Sequence, residues 1–286
     1  MITMKKKYVL VRLKGGLGNQ LFQYYTAYNL SKLKGYDLIL DISDLEKDTL
    51  RKFELKNLDI NLKIIKSKWQ RIYFILLNSL LILDTPYFHK EKEEFHYDKG
   101  IKEINKSLIL NGYYQNEKYF NDISTLIRED FKKKSKKIKD LDIFNEIQNT
   151  LSVALHIRRG DYINNISTNN THGVCDIKYY YEAIKQFSHL NPVYFVFSDD
   201  IEWCKKNINI NNKVFFVSNI CDSDFEEFLL MQNCKNFIIS NSTFSWWAAW
   251  LASNNTKTVI CPEDWFNDNN LNILSKNLIP KSWIKI

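Results

Sequence analysis

The residues best suited to chemistry are in the segment HIRRGDY, 156–162, which ends the apolar run LSVALHI. Arg158 and Arg159 are adjacent where a strand should stop. A buried strand has no need of two guanidinium groups at its tip, but a site for a doubly charged phosphate does. Each guanidinium is planar, stays charged at any working pH and can grip phosphate oxygens two at a time. Asp161 can orient either arginine or take a proton from a substrate hydroxyl. His156 lies on the strand itself, where it serves either as a satisfied half-buried imidazole or in direct contact with a ligand.

Two further segments have the same character. SDD, 198–200, follows the apolar run VYFVF. Asp199 there can accept from a purine N–H or a ribose hydroxyl, or cap the next helix. SNSTFSWW, 240–247, follows NFII. Its Asn241, Ser242, Thr243 and Phe244 stand where a helix begins. Such residues are common N-caps, and a helix N-terminus also binds phosphate. Next to an arginine pair on a neighbouring strand, the phosphate reading is the stronger one. Trp246, Trp247 and Trp250 suit a buried helix face better than a sugar-stacking platform.

Periodicity supplies the elements that must position these segments. Short apolar runs at 152–157, 193–197, 214–217, 236–239 and 258–261 read as strands. Helical patterns at 177–188, 201–207, 223–233 and 242–252 fill the gaps. Continuous apolar strands alternating with helices predict a parallel sheet covered on both faces, with ligands beyond the carboxyl ends of its strands. The first half is less regular. It shows strands at 8–13, 37–40 and 107–110 and a helix over 18–34. The run FKKKSKKIKD holds six lysines between Lys132 and Lys139 and reads as a solvated helix end or an exposed connection. The expected domains are therefore 1–150 and 151–286.

Composition excludes several classes. The 286 residues carry a net charge of +7, which suits an anionic substrate or an anionic membrane surface. Nucleic acid is not expected, because the lysine run lacks interleaved aromatics. With 8 Gly and 4 Pro, long flexible linkers are not expected. Cys175, Cys204, Cys221, Cys234 and Cys261 are odd in number and widely spaced, which argues against a disulfide framework or zinc site and fits a reducing compartment. IYFILLNSLLIL, 72–83, is too short to span a bilayer and reads as a core helix. Lys63, Lys66, Lys68 and Arg71 before it also suit a helix lying on an anionic membrane. GGLGNQ, 15–20, is not a dinucleotide fingerprint, since Leu21 stands where the third glycine belongs. Gly16 and Gly18 instead let backbone approach a ligand, with Asn19 as a polar contact. Asp222 and Asp224 form a D-x-D at a helix start, where capping is the stronger reading.

Taken in order, GGLGNQLFQY, NGYYQNEKYF, HIRRGDY, HGVCDIKYYYEAI, FVFSDD and IISNSTFSWWAAWLA resemble the bacterial α-1,2-fucosyltransferases of glycosyltransferase family 11 over nearly the whole chain. The resemblance implies a GT-B fold of two Rossmann-like α/β domains facing across a cleft. The N-terminal one is the acceptor side, and the C-terminal one binds GDP-β-L-fucose without a required metal or cofactor. Fucose would pass with inversion to O2 of a terminal galactose on an oligosaccharide or lipid-linked glycan. By similarity, Arg158 and Arg159 neutralise the pyrophosphate and Asp199 contacts guanine or ribose. Ser242, Thr243 and Phe244 wrap phosphates and base, and Gly16 and Asn19 face the fucose. Asp161 and His172 are the candidate bases. The expected setting is the cytoplasm, with peripheral contact to the inner membrane. The rival readings are another acceptor linkage, or a non-catalytic polyanion or membrane binder using 132–139.

Overall fold

A computed structural model describes residues 6–58, 63–82, 85–160, 166–254 and 256–286. The described residues fall into two compact units, Met1–Ser124 and Thr125–Ile286, each with a parallel sheet and helices. This is the α/β class expected, with one Rossmann-like sheet in each unit.

In the first unit, β1 (Tyr8–Arg12), β2 (Asp37–Asp41), β3 (Lys63–Ile65), β4 (Tyr87–Lys90) and β5 (Leu108–Asn111) run parallel in the order β3-β2-β1-β5-β4. Helix Leu17–Lys34 joins β1 to β2 and stops at Gly35, whose φ of 64° is the left-handed turn that glycine adopts without strain. Helix Lys68–Ile82 joins β3 to β4. Only one side of it is core: Phe74 meets the Tyr8 ring edge-on at 4.9 Å, and Asn78 is buried. Trp69, Tyr73, Leu76 and Leu80 are exposed, so the expected core helix is instead a surface helix with an apolar outer stripe.

The second unit places β6 (Ser152–Ile157), β7 (Val193–Ser198), β8 (Val214–Phe216), β9 (Asn236–Ile238), β10 (Val259–Cys261) and β11 (Ile284–Lys285) in the parallel order β11-β10-β9-β6-β7-β8. Every residue of β6 is buried, as a central strand covered on both faces requires. One face carries Val153, Leu155 and Ile157, which pack with Tyr180, Ala183, Ile201 and Cys204 from the helices Ile177–Lys185 and Ile201–Asn207. The helix Thr243–Leu251 buries Trp246, Trp247 and Trp250, and the Trp246 indole N–H donates to the Leu278 carbonyl at 3.0 Å. The tryptophans are core, as expected. All five cysteines are free.

The boundary lies at Ser124, not near 150. The lysine run is the end of helix Ser124–Lys134 and the turn after it, a helix end as one reading had it, but it is not solvated all round. Phe131 and Ile138 are 0% exposed, and even Lys134 is buried and pairs with Asp130 at 3.7 Å. Phe131 packs 5.7 Å from Phe228 on helix Asp224–Gln232, and Ser135 accepts from the Gln232 side-chain amide at 3.1 Å. Residues 131, 134, 135 and 138 fall at helical spacing, so lysines on one face conceal a core contact on the other. Replacing Phe131 with Ala is expected to cost about 3–5 kcal/mol. Lys132→Ala and Lys133→Ala, both exposed, should stay within about 0.5 kcal/mol of wild type. Chemical denaturation of the three variants checks this.

Candidate functional site

Strand order determines where a ligand can enter. In the second unit the chain leaves β6 toward β7 and β8, then returns to lay β9 on the other side of β6. The loops after β6 and β9 therefore depart in opposite directions, which opens a crevice at the carboxyl edge between them. HIRRGDY and SNST are those two loops. They are tied together where they start: the His156 Nδ1 and Ser240 Oγ lie 2.8 Å apart, and the His156 ring stacks on Phe244 at 5.8 Å. His156 is fully enclosed. Burial first, and the neighbouring Arg158 charge second, hold its pKa down to about 3. It is a neutral brace across working pH.

Asp199, on the next strand end, controls the arginine turn. One carboxylate oxygen pairs with the Arg158 guanidinium at 3.1 Å, and the other accepts the Arg159 backbone N–H at 2.9 Å. Gly160 lies against it so closely that an added Cβ would stand 2.6 Å from Asp199 Oδ2. Both oxygens thus work within the loop and brace the arginine turn. The two arginines also differ. Arg159 stacks over the Trp203 ring at 3.6 Å and reaches Asp200 at 3.4 Å, while Asp200 caps its helix by accepting the Trp203 N–H. Arg159 is held against the helix Ile201–Asn207, and Arg158 is the guanidinium that Asp199 positions.

Across the crevice, Ser242 caps helix Thr243–Leu251 by accepting the Phe244 N–H at 3.3 Å. The positive end of that helix faces the same edge as Arg158. Thr243 is half-buried at its first turn. The Asn241 side-chain amide donates to the carbonyls of His172 at 2.8 Å, Gly173 at 3.2 Å and Trp265 at 3.2 Å. It is a loop clamp, which fixes the end of helix Ile166–His172 beside the site. The His172 ring lies 5.2 Å from Phe266. Asp161 lies outside the described residues.

Gly16, Gly18 and Asn19 belong to the first unit, at its own switch point between β1 and β5. Gly15 has the strict requirement here, with φ of 77° and space for no Cβ beside Asn19. Gly16 is the extended N-cap residue, and Gly18 is buried within the helix. Asn19 accepts from the Gln115 amide at 2.7 Å, which ties the loop after β1 to the loop after β5. Gln20 donates to the Gly15 and Lys52 carbonyls at 2.8 and 2.7 Å and shapes that loop from within.

Trp203, Gln115 and Glu227 were not anticipated. Glu227 accepts from Ser218 Oγ at 2.8 Å, and Ser218 accepts the Ser198 N–H at the end of β7. Burial, with smaller contributions from Asp224 and Asp199, pushes its carboxyl up to about 7. Its signal in the sequence was concealed among the helix-start acids of DSDFEE. Asp222 and Asp224 do form a helix start, capped by Ser223. Among the described residues, no group of three His, Cys, Asp or Glu is gathered to hold a metal.

An arginine and a helix N-terminus at the switch point of a parallel sheet are groups suited to a phosphorylated ligand. The chain belongs to glycosyltransferase family 11: the family model described as "Glycosyl transferase family 11" matches residues 1–286. It is 36% identical to an alpha-1,2-colitosyltransferase of Escherichia coli, over 97% of this chain and 98% of that protein. It is 33% identical to the O-antigen biosynthesis glycosyltransferase WbnK of Escherichia coli, over 96% and 99%. Identity to the galactoside 2-alpha-L-fucosyltransferase SEC1 of Bos taurus is 25%, over 86% and 65%. The crystal structure of the fucosyltransferase NodZ from Bradyrhizobium aligns at a TM-score of 0.49 and 14% identity, covering 87% and 94%.

Two outcomes follow. Gly160→Ala should push Asp199 off the arginine turn and cost about 1–3 kcal/mol, read as a fall in thermal midpoint. Glu227 has a native pKa near 7 against an ordinary 4.5, so the native state holds the extra proton between those values. Stability should fall as pH rises from about 4.5 through 7, and Glu227→Gln should flatten that slope in a pH series of melts.

Proposed function

We propose that the protein transfers L-fucose from GDP-β-L-fucose to O2 of a terminal galactose, with inversion at the anomeric carbon. The observation that carries this is Arg158, aimed by Asp199 at the switch point beside the N-terminus of helix Thr243–Leu251. Family membership and likeness to an alpha-1,2-colitosyltransferase and a galactoside 2-alpha-L-fucosyltransferase support the donor type and linkage.

The chemistry follows from charge. As the glycosidic C–O bond lengthens, positive charge grows on the sugar and negative charge on the departing diphosphate. Donors fixed on the diphosphate bind that state more tightly than the ground state. Arg158 supplies a full charge, and the helix supplies N–H groups and its dipole. Arg159, Asp199, Asn241 and His156 hold that geometry. His156, its pKa held down to about 3, is too weak a base to take the acceptor proton, and Asp161 and His172 are the candidates for that role. No metal enters this scheme, so activity should persist in EDTA, and loss of activity there would move the diphosphate's neutralisation to a metal. The five free cysteines support a reducing, cytoplasmic setting.

Arg158→Ala should lower kcat/KM by on the order of 30- to 3,000-fold, the equivalent of about 2–5 kcal/mol, with the fold intact. Arg159→Ala should cost thermal stability more than Arg158→Ala does, because it empties the stack on Trp203. The assay is GDP-fucose with a panel of galactosides, with linkage analysis of the product and a thermal shift with GDP. Wild-type turnover in Arg158→Ala defeats the assignment. A response to heparin or DNA with none to GDP would favour the polyanion binder instead.

A second reading keeps the reaction and changes the sugar to colitose. Its support is the higher identity to the colitosyltransferase, 36% against 25% for the bovine fucosyltransferase. Colitose lacks one hydroxyl of fucose, and a site built to bond that hydroxyl rejects the deoxy sugar by on the order of 10⁴-fold. Competition between the two GDP-linked donors separates the readings.

A further inference from the structure

The outer face of helix Lys68–Ile82 is not explained by sugar transfer. Trp69, Tyr73, Leu76 and Leu80 are 79%, 68%, 61% and 75% exposed. Their spacing of four, three and four residues lines them along one side of the helix, with Ile72 at 36% beside them. The opposite side, through Phe74 and Asn78, is packed on the unit. The stripe therefore runs along the surface over a helix of about 22 Å. Phe88, 53% exposed, aligns in register with Ile109, whose side packs with Tyr8, Leu10 and Phe74, so it lies on the same sheet face as this helix. Isolated surface leucines need no explanation, but a continuous stripe that includes an exposed Trp does.

Charge identifies the occupant. Residues 63–82 contain no Asp or Glu. Lys66 and Lys68 are exposed at the N-terminal end of the stripe, next to Trp69, whereas Lys63 lies over the Phe74 ring at 4.5 Å on the packed side. Arg71 is already paired with Asp41 at 2.6 Å and does not add to this collar. A cationic collar flanking an apolar stripe, with an indole at the junction, complements an anionic lipid surface: lysines meet headgroups, Trp sits at their level and Leu enters the acyl boundary. No described helix is long and apolar enough to cross a membrane, so this one would lie in the plane of the interface.

We infer that the exposed stripe of helix Lys68–Ile82, with Lys66 and Lys68, docks the protein on an anionic lipid bilayer. This does not rest on the identity of the sugar donor.

The test is co-sedimentation of the full chain with vesicles of equal parts phosphatidylglycerol and phosphatidylcholine, alongside pure phosphatidylcholine. The protein should pellet with the anionic vesicles only, and raised salt should weaken binding. Trp69→Glu with Leu76→Glu should abolish pelleting, and Lys66→Glu with Lys68→Glu should cut it at least tenfold. Both pairs are exposed, and matching circular dichroism and melting midpoints confirm their fold. Brominated lipids should quench tryptophan emission in wild type. They should quench far less in Trp69→Phe, which still pellets. Undiminished pelleting of the Trp69/Leu76 variant, or no pelleting of wild type, overturns the inference. A lipid-free dimer broken by Leu76→Glu also overturns it and assigns the stripe to a second copy.

Discussion

The placement of β9 against β6 is the constraint from which the second unit's site follows. Reversing the direction of strand addition at that pair separates two loops and opens a crevice between them without any side chain having to create it. The contacts described at that edge then keep the gap in one shape. His156 reaches Ser240 across it, Asp199 reaches back from β7 to hold the arginine turn, and Asn241 reaches out to the end of the 166–172 helix. Most polar residues of the three motifs are engaged with protein, and this is what preorganisation requires. A guanidinium free to wander would lose much of its advantage in ordering itself at the moment of reaction.

The first unit repeats the device with different chemistry. Its switch point lies between β1 and β5, and the two loops are joined by amides: Asn19 to Gln115, and Gln20 to the Gly15 and Lys52 carbonyls. Neutral hydrogen-bonding groups suit hydroxylated ligands as cationic ones suit phosphate. Cationic groups stand here as well, with Arg51 beside Gly16 and Lys14 over the Tyr113 ring.

The legible parts of the sequence were those where one physical pattern dominated. β6 and the helix at 201–207 were readable to the residue, because the first is an unbroken apolar run and the second follows a capping aspartate. β3 and β4 were not recognised. KII and YFHK are three and four residues long, and an edge strand has little burial to mark it. The lysine run misled because composition outweighs spacing to the eye: Phe131 and Ile138 are core, although six lysines surround them. The apolar run at 72–83 misled in the opposite direction, since its richness concealed which side faced the sheet. The motifs at 156, 198 and 240 fall at strand ends, as expected. The tasks within them were less visible, because Asp199 as brace, Arg159 as a stacked partner of Trp203 and Asn241 as clamp all depend on which neighbours the fold brings near.

Strand order also has a consequence for how the chain comes into being. β6 emerges from synthesis long before β9, yet it is the central strand and its six residues are all buried in the finished unit. Until residues 236–238 arrive, β6 is an apolar edge with open backbone groups, the kind of surface that recruits other chains. The arginines that follow it carry positive charge at the tip of that edge, and like-charged tips repel. The residues that suit a diphosphate in the folded protein would thus also keep nascent copies apart during the interval before β9 closes the sheet.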